Sequence, residues 1–214
     1  MDSIMISKKI KNIIVGSIQT NCWIYMMSDS LGSPQYSAPK GTIPCTVIDP
    51  GADAPVIINY LKKHNLYPVY ILLTHGHFDH VTAMPDLLKA FQKDESETPF
   101  TAMHREDAPF MKTKPDRFLY EGDTIGPFSV IHVPGHTPGS AAFFDEKEDI
   151  LFTGDTLFCA DCGRTDLAGG NPAKLEKSLE RLLAMKADIR VLPGHGSETT
   201  IGEEAKRGLP FFMG

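Results

Sequence analysis

The sequence predicts an α/β protein with helices packed on a sheet or sheets. Short apolar runs alternate along the chain with segments of helical spacing, and the alternation recurs in two similar halves. Several strand-like runs end in a turn bearing Gly, Pro or Asp. With 214 residues, 42% hydrophobic and 22% charged, the chain is long enough to bury a substantial core. No linker separates two cores, so residues 1–214 read as one domain.

Residues 10–15 and 22–27 are apolar runs suited to paired strands. Residues 28–44 are rich in Ser, Gly and Pro and read as a loop at an extended hairpin tip. Cys45-Thr46-Val47-Ile48 is a third strand, stopped by Asp49-Pro50-Gly51. Ala54 to His64 has helical spacing, with Val56, Ile57, Tyr60 and Leu61 assigned to one face. Val69 to Leu73 reads as a buried strand, Met84 to Lys93 as a helix, Pro99 to Met103 as a strand and His104 to Met111 as a short helix. Phe128 to Val133, Ala141 to Phe144 and Ile150 to Thr153 are further strands. Pro172 to Met185 is an amphipathic helix with Pro at its start and Leu175, Leu179, Leu182 and Leu183 at core spacing. Ile189 to Leu192 is the last strand, and the chain from Glu198 is read as helical until Gly208. The apolar run from Gly208 to Met213 is expected to pack on the chain's own core.

The formal net charge of −6, with scattered basic residues, argues against nucleic-acid binding. No apolar stretch reaches a membrane span's length, and the N-terminal residues do not read as a signal peptide. Four cysteines make no disulfide framework, and a reducing cytoplasm is the expected location. Cys159-Ala160-Asp161-Cys162 lacks the second pair of a zinc ribbon and the helix-opening context of a redox motif. It reads as two thiols lining a loop near a substrate channel.

The most telling run is Thr74-His75-Gly76-His77-Phe78-Asp79-His80, directly after an apolar strand. It places His75, His77, Asp79 and His80 within six positions. Imidazole and carboxylate suit zinc, iron or manganese, and a set without Cys points to metals that keep a position open for water. Further candidates follow strands beside glycine: His136 in Pro134-Gly135-His136, Asp155 in Thr153-Gly154-Asp155, and His195 in Pro193-Gly194-His195. Strand ends hold side chains in place, and glycines allow close backbone approach. Together the candidates exceed one tetrahedral ion and suit two ions sharing Asp155. His64, His104 and His132 lack such surroundings and stay outside the site.

The motifs His75-Gly76-His77-Phe78-Asp79-His80, Gly135-His136-Thr137-Pro138-Gly139, Gly154-Asp155-Thr156-Leu157-Phe158, Gly163-Arg164-Thr165-Asp166 and Pro193-Gly194-His195-Gly196 resemble, in order and spacing, those of the metallo-β-lactamase superfamily. Within it the chain looks like the glyoxalase II-like hydrolases, over nearly its whole length. The resemblance implies an αββα sandwich of two mixed sheets with helices on the outer faces and the active site at one edge. It implies that His75, His77 and His136 hold one divalent ion, that Asp79, His80 and His195 hold the second, and that Asp155 bridges them. Zinc is the expected metal, with iron and manganese as alternatives. Asp79 is the expected catalytic residue, orienting a hydroxide while ligating. Asp49 matches a family aspartate that supports the site from behind the ligands, and it equally reads as a turn residue before proline.

The implied activity is hydrolysis of a thioester such as S-D-lactoylglutathione, by a monomer or homodimer. A serine nucleophile elbow is absent from the sequence. Two features differ from the larger glyoxalase II enzymes. Those carry an additional C-terminal helical domain, and this chain ends at Gly214. They also place Lys where this chain has Arg164, in Cys162-Gly163-Arg164. Arg164 can bind a substrate carboxylate bidentately, or form an ion pair with Asp166 or Asp161. The Gly163-Arg164-Thr165-Asp166 segment also resembles persulfide dioxygenases, which use a single iron. Lactonase or other ester hydrolysis is a further alternative, because one metal pair serves many esters.

Overall fold

The computed structural model describes residues 9–27, 38–92 and 98–208. Its chain divides into two compact units. The first comprises Met1–Leu73, His77–Ala102 and Thr113–Arg117, and the second comprises Thr74–Gly76, Met103–Lys112 and Phe118–Gly214. The expected loop 28–44 falls largely outside the described residues, as do the end of the helix at Lys93 and the apolar tail from Leu209.

The described residues form two large mixed sheets with helices, the mixed α/β architecture expected from the sequence. One six-stranded sheet runs in sequence order: β1 (Ile10–Val15), β2 (Thr20–Met26), β3 (Ile43–Ile48), β4 (Leu66–Leu73), β5 (Phe100–His104) and β6 (Arg117–Leu119). β3 and β4 are parallel, joined through the helix α1 (Ala54–Lys63). β4 is buried throughout and starts earlier than its sequence suggests, because Pro68 disguises it. Pro68 pairs with Cys45, but the next pair is Thr46 with Tyr70. The skipped Val69 marks a bulge, where a strand tolerates proline. α1 buries Ala54, Ile57 and Leu61, a three-then-four spacing that leaves Val56 on the exposed side, contrary to the face expected. α3 (Met84–Phe91) buries Met84, Leu87 and Phe91 and packs on β4 and α1. Between β4 and α3 lies the four-residue helix α2 (Phe78–Val81), too short to show periodicity in sequence.

The second sheet lies in the second unit. Its order is β14 (Thr199–Thr200), β13 (Arg190–Pro193), β10 (Ile150–Gly154), β9 (Ala141–Asp145), β8 (Phe128–His132) and β7 (Thr124–Ile125). β10 and β13 are parallel, connected through α4 (Pro172–Leu183). Asn171 caps α4 by accepting the Lys174 N–H, and Pro172 occupies the first turn. Leu175, Leu179 and Leu182 enter a core with Val133, Leu151, Val191 and Ile201, and Leu183 packs at its edge. A hairpin of β11 (Leu157–Phe158) and β12 (Asp161–Cys162) carries Cys159 in its turn. The final helix α5 (Ile201–Arg207) starts after β14, with Thr200 as its cap. The predicted short helix after β5 is a 3-10 helix, Arg105–Phe110, capped by His104. Among the described residues, no helix is long and apolar enough to cross a membrane.

Candidate metal centre

In the first unit the strand ends of β3 and β4 prepare one group of predicted side chains. Asp49 leaves β3 in the left-handed region at φ 53, and its N–H donates to Leu72 O at 3.0 Å. Its buried carboxylate accepts a hydrogen bond from His80 Nδ1 at 2.9 Å. A carboxylate on Nδ1 fixes the imidazole tautomer and leaves Nε2 as the ligating atom. That Nε2 lies 3.6 Å from Asp79 Oδ2, which also accepts from the Thr20 hydroxyl at 3.3 Å. His77 stands at the N-terminus of α2 in an extended conformation, and Asp79 and His80 occupy its following positions. Close backbone packing holds α2: a Cβ on Gly51 would sit 1.5 Å from the Asp79 carbonyl oxygen. Ala83 N–H donates to Pro50 O at 3.0 Å, so the Asp49-Pro50-Gly51 turn and the ligand-bearing helix are fixed together.

The second unit gathers the remaining group. Asp155 follows β10, and its Oδ2 lies 3.6 Å from His136 Nε2 and 3.5 Å from His195 Nε2. His136 Nδ1 donates to the Arg164 carbonyl at 2.8 Å, which turns Nε2 toward Asp155. The His75 ring stands edge-on to the His136 ring at 4.9 Å between centroids, with its Nδ1 3.1 Å from the Thr74 hydroxyl. Gly163 lets the chain close over this group, since a Cβ there would lie 1.9 Å from the Asp155 carbonyl oxygen and 3.1 Å from His136 Cβ.

The Arg164 guanidinium makes a bidentate pair with Asp166, both contacts at 2.6 Å, and is not paired with Asp161 in this geometry. The hydrogen bond from Arg164 holds the Asp166 carboxyl down at about 2. Sequence reasoning considered only the side chain of Arg164, whereas its carbonyl holds His136. His132 and His104, left outside the site, stack on each other at 3.9 Å.

Asp107 was missed altogether. This carboxylate is fully buried in the 3-10 helix and accepts from Gly76 N–H at 2.8 Å, the Thr137 hydroxyl at 2.7 Å and Gly139 N–H at 2.5 Å. The turn after His75 and the loop after His136 therefore hang from one side chain. Burial pushes its carboxyl above the usual range, while these donors pull it back. In sequence it is one acid in the charged run Arg105-Glu106-Asp107, and its only hint is the apolar Ala108-Pro109-Phe110 that follows.

The donor chemistry in each unit fits divalent metals. Imidazoles have their far nitrogens held by a carboxylate or a carbonyl, and their near nitrogens lie beside carboxylate oxygens. The sequence pattern of the Metallo-beta-lactamase superfamily matches residues 44–195, and the chain belongs to this family. Its members bind divalent metals. The chain is 32% identical over 228 residues to the probable metallo-hydrolase YqgX of Bacillus subtilis (strain 168), covering 96% of this chain and 98% of that protein. It is 36% identical over 182 residues to the hydroxyacylglutathione hydrolase GloC of Haemophilus influenzae (strain ATCC 51907 / DSM 11121 / KW20 / Rd), covering 77% of this chain and 85% of GloC. Among solved structures, TTHA1623 in a di-iron-bound form superposes with a TM-score of 0.78 at 34% identity, covering 92% of this chain and 97% of that one.

Proposed function

We propose that residues 1–214 act as a single catalytic domain, a binuclear metal-dependent hydrolase of thioesters. Hydrolysis of S-D-lactoylglutathione to D-lactate and glutathione is its reference reaction. The observation that carries this reading is one Asp155 carboxylate oxygen, Oδ2, with the Nε2 atoms of two histidines, His136 and His195, at 3.6 and 3.5 Å. That arrangement is suited to a bridging ligand. Similarity to a hydroxyacylglutathione hydrolase and to a di-iron-bound protein supports the reaction type and the metal count.

In this reading His75, His77 and His136 hold one ion, Asp79, His80 and His195 hold the other, and Asp155 serves both. When bound, the ions supply Lewis acidity and bring the pKa of water down to about 7. The chain's own residues do the remaining work. Asp49 keeps the His80 tautomer fixed through Nδ1, and the Arg164 carbonyl does the same for His136. Asp79, whose Oδ2 accepts from the Thr20 hydroxyl, would orient the attacking water in this reading. Water adds to the thioester carbonyl, the C–S bond breaks, and the thiolate leaves without strong acid assistance. Arg164 is proposed to exchange its Asp166 partner for a substrate carboxylate, which its planar fork suits. Zinc is the favoured metal, and the donor set accepts iron or manganese.

The test is metal analysis of the purified protein together with parallel assays on S-D-lactoylglutathione and glutathione persulfide. Two ions per chain with thiol release, both lost in Asp155→Ala, is the expected result. One iron per chain with oxygen consumption on the persulfide would replace this reading with the dioxygenase.

A further inference from the structure

A second feature of the first unit lies next to Asp79. A cavity of about 240 Å³ opens between the turn joining β1 to β2 and the start of α2. Its apolar walls are Val15, Ile18, Ala52 and Phe78, and the hydroxyls of Ser17, Thr20 and Thr82 line it together with Asp79. Ile18 is 50% exposed and Phe78 68%, so two large apolar side chains face solvent around one opening. Scattered apolar residues on a surface are ordinary, but a pair converging on a cavity beside a candidate catalytic carboxylate is not.

The backbone that carries the walls is tied down. Gly16 N–H donates to Asp53 Oδ2 at 2.7 Å, and Gln19 N–H closes the turn onto Gly16 O at 3.3 Å. A Cβ on Gly16 would lie 3.1 Å from Ala52 Cβ, so the turn carrying Ile18 rests directly on the loop before α1. On the other wall, the Thr82 hydroxyl donates to Phe78 O at 2.5 Å. The cavity is smaller than the roughly 300–1,000 Å³ typical of a site for a whole small molecule. It therefore suits one apolar part of a substrate.

We propose that this cavity receives the acyl chain, and that the enzyme prefers thioesters carrying a short aliphatic acyl group over the hydroxylated lactoyl group. The inference rests on the thioester-hydrolase reading and adds the substrate class to it. The leaving-group side of a glutathione thioester carries two carboxylates, an ammonium and two amides, more polar groups than the few hydroxyls of this cavity can pair, so seating it against Val15, Ile18, Ala52 and Phe78 would cost hydration that is not recovered. The acyl chain has no such cost, and its carbonyl end is the part that must reach Asp79.

The experiment compares metal-loaded wild type with an Ile18→Ser/Phe78→Ser double variant on S-acetyl-, S-butyryl-, S-hexanoyl- and S-D-lactoylglutathione. For wild type, kcat/KM should rise by up to about fourfold per methylene while the chain remains inside the cavity. S-butyryl should also exceed S-D-lactoyl. In the double variant the hexanoyl-to-acetyl ratio should fall at least about tenfold. Both side chains are exposed, so the variant is expected to fold, and the ratio is internally controlled for any loss of metal. Acetyl hydrolysis with no chain-length preference, or a ratio unchanged in the variant, overturns the acyl pocket and leaves the thioesterase reading standing. Binding of hexanoate and of acetate is measured on both proteins by saturation-transfer NMR. Should no thioester turn over, the hydrolase reading fails and this measurement decides the cavity. Hexanoate binding weakened at least fivefold in the variant supports it, and equal affinity overturns it.

Discussion

At the scale of single residues, the ligand types were legible because chemistry restricts them. Few side chains bind zinc or iron, and His75, His77, Asp79 and His80 crowd one short run. Asp49 was ambiguous because Asp before Pro is a common turn former, and only its 2.9 Å contact with His80 Nδ1 distinguishes a supporting role. Asp107 was illegible, since an acid in a charged run gives no sign that three donors converge on it. Removing it makes a direct prediction. Asp107→Ala leaves the Gly76 and Gly139 N–H groups without their acceptor, while the Thr137 hydroxyl keeps Ser140 Oγ at 2.7 Å. At about 1–3 kcal/mol for each buried donor left unmade, with some relaxation, the loss should be on the order of 3 kcal/mol. Urea unfolding of the metal-free protein measures it. Asp107→Asn, which keeps an acceptor oxygen, should lose less than half as much. Equal stability of wild type and Asp107→Ala would show that the two loops are held by other contacts.

At the scale of elements, long periodic segments were read well and short ones were not. α4 announces itself through Pro172 and its leucine spacing, whereas β7, β11, β12 and β14 have two residues each and leave no periodic trace. α2 was hidden for the same reason, although it presents Asp79 and His80. Its position depends on Gly51, which the sequence marked only as part of a turn. A methyl group there would overlap the Asp79 carbonyl oxygen, backbone that cannot swing aside. Gly51→Ala should therefore displace α2 from the Asp49 turn at a cost on the order of 2 kcal/mol, as for overpacked cores. It should also weaken metal binding, as read by competition with a chromophoric chelator. Gly51 is not among the glycines of positive φ, so the overlap with α2 is the cost that the substitution adds. If Gly51→Ala is as stable as wild type and binds metal normally, close packing against α2 does not position the ligands.

For the molecule as a whole, the alternation of strands and helices was enough to predict an α/β fold, and the ligand motifs were enough to specify which one. Stability against acid was not legible, because it depends on how His104 and His132 meet. His104 is buried, accepts from Glu106 N–H at Nδ1 and stacks on His132, whose ring donates from Nε2 to Pro138 O at 2.8 Å. Burial, with repulsion from His132, lowers His104 from 6.5 to about 4, against the pull of Glu106, Glu121 and Asp123. The folded protein thus resists a proton that the unfolded chain accepts. Above pH 6.5 the group contributes no slope. Between 6.5 and about 4 the unfolded state binds more protons, so stability falls as the pH falls, and below 4 the effect levels off. The full gap corresponds to at most about 3 kcal/mol, and solvent screening around the partly open pair reduces this to roughly 1–2 kcal/mol. His104→Asn keeps an acceptor for the Glu106 N–H and removes the titration. Urea unfolding of chelator-treated wild type and variant, from pH 7.5 to 4, should show their stabilities converging as the pH falls, because only wild type loses this contribution. Parallel curves across that range would assign the acid sensitivity to other groups.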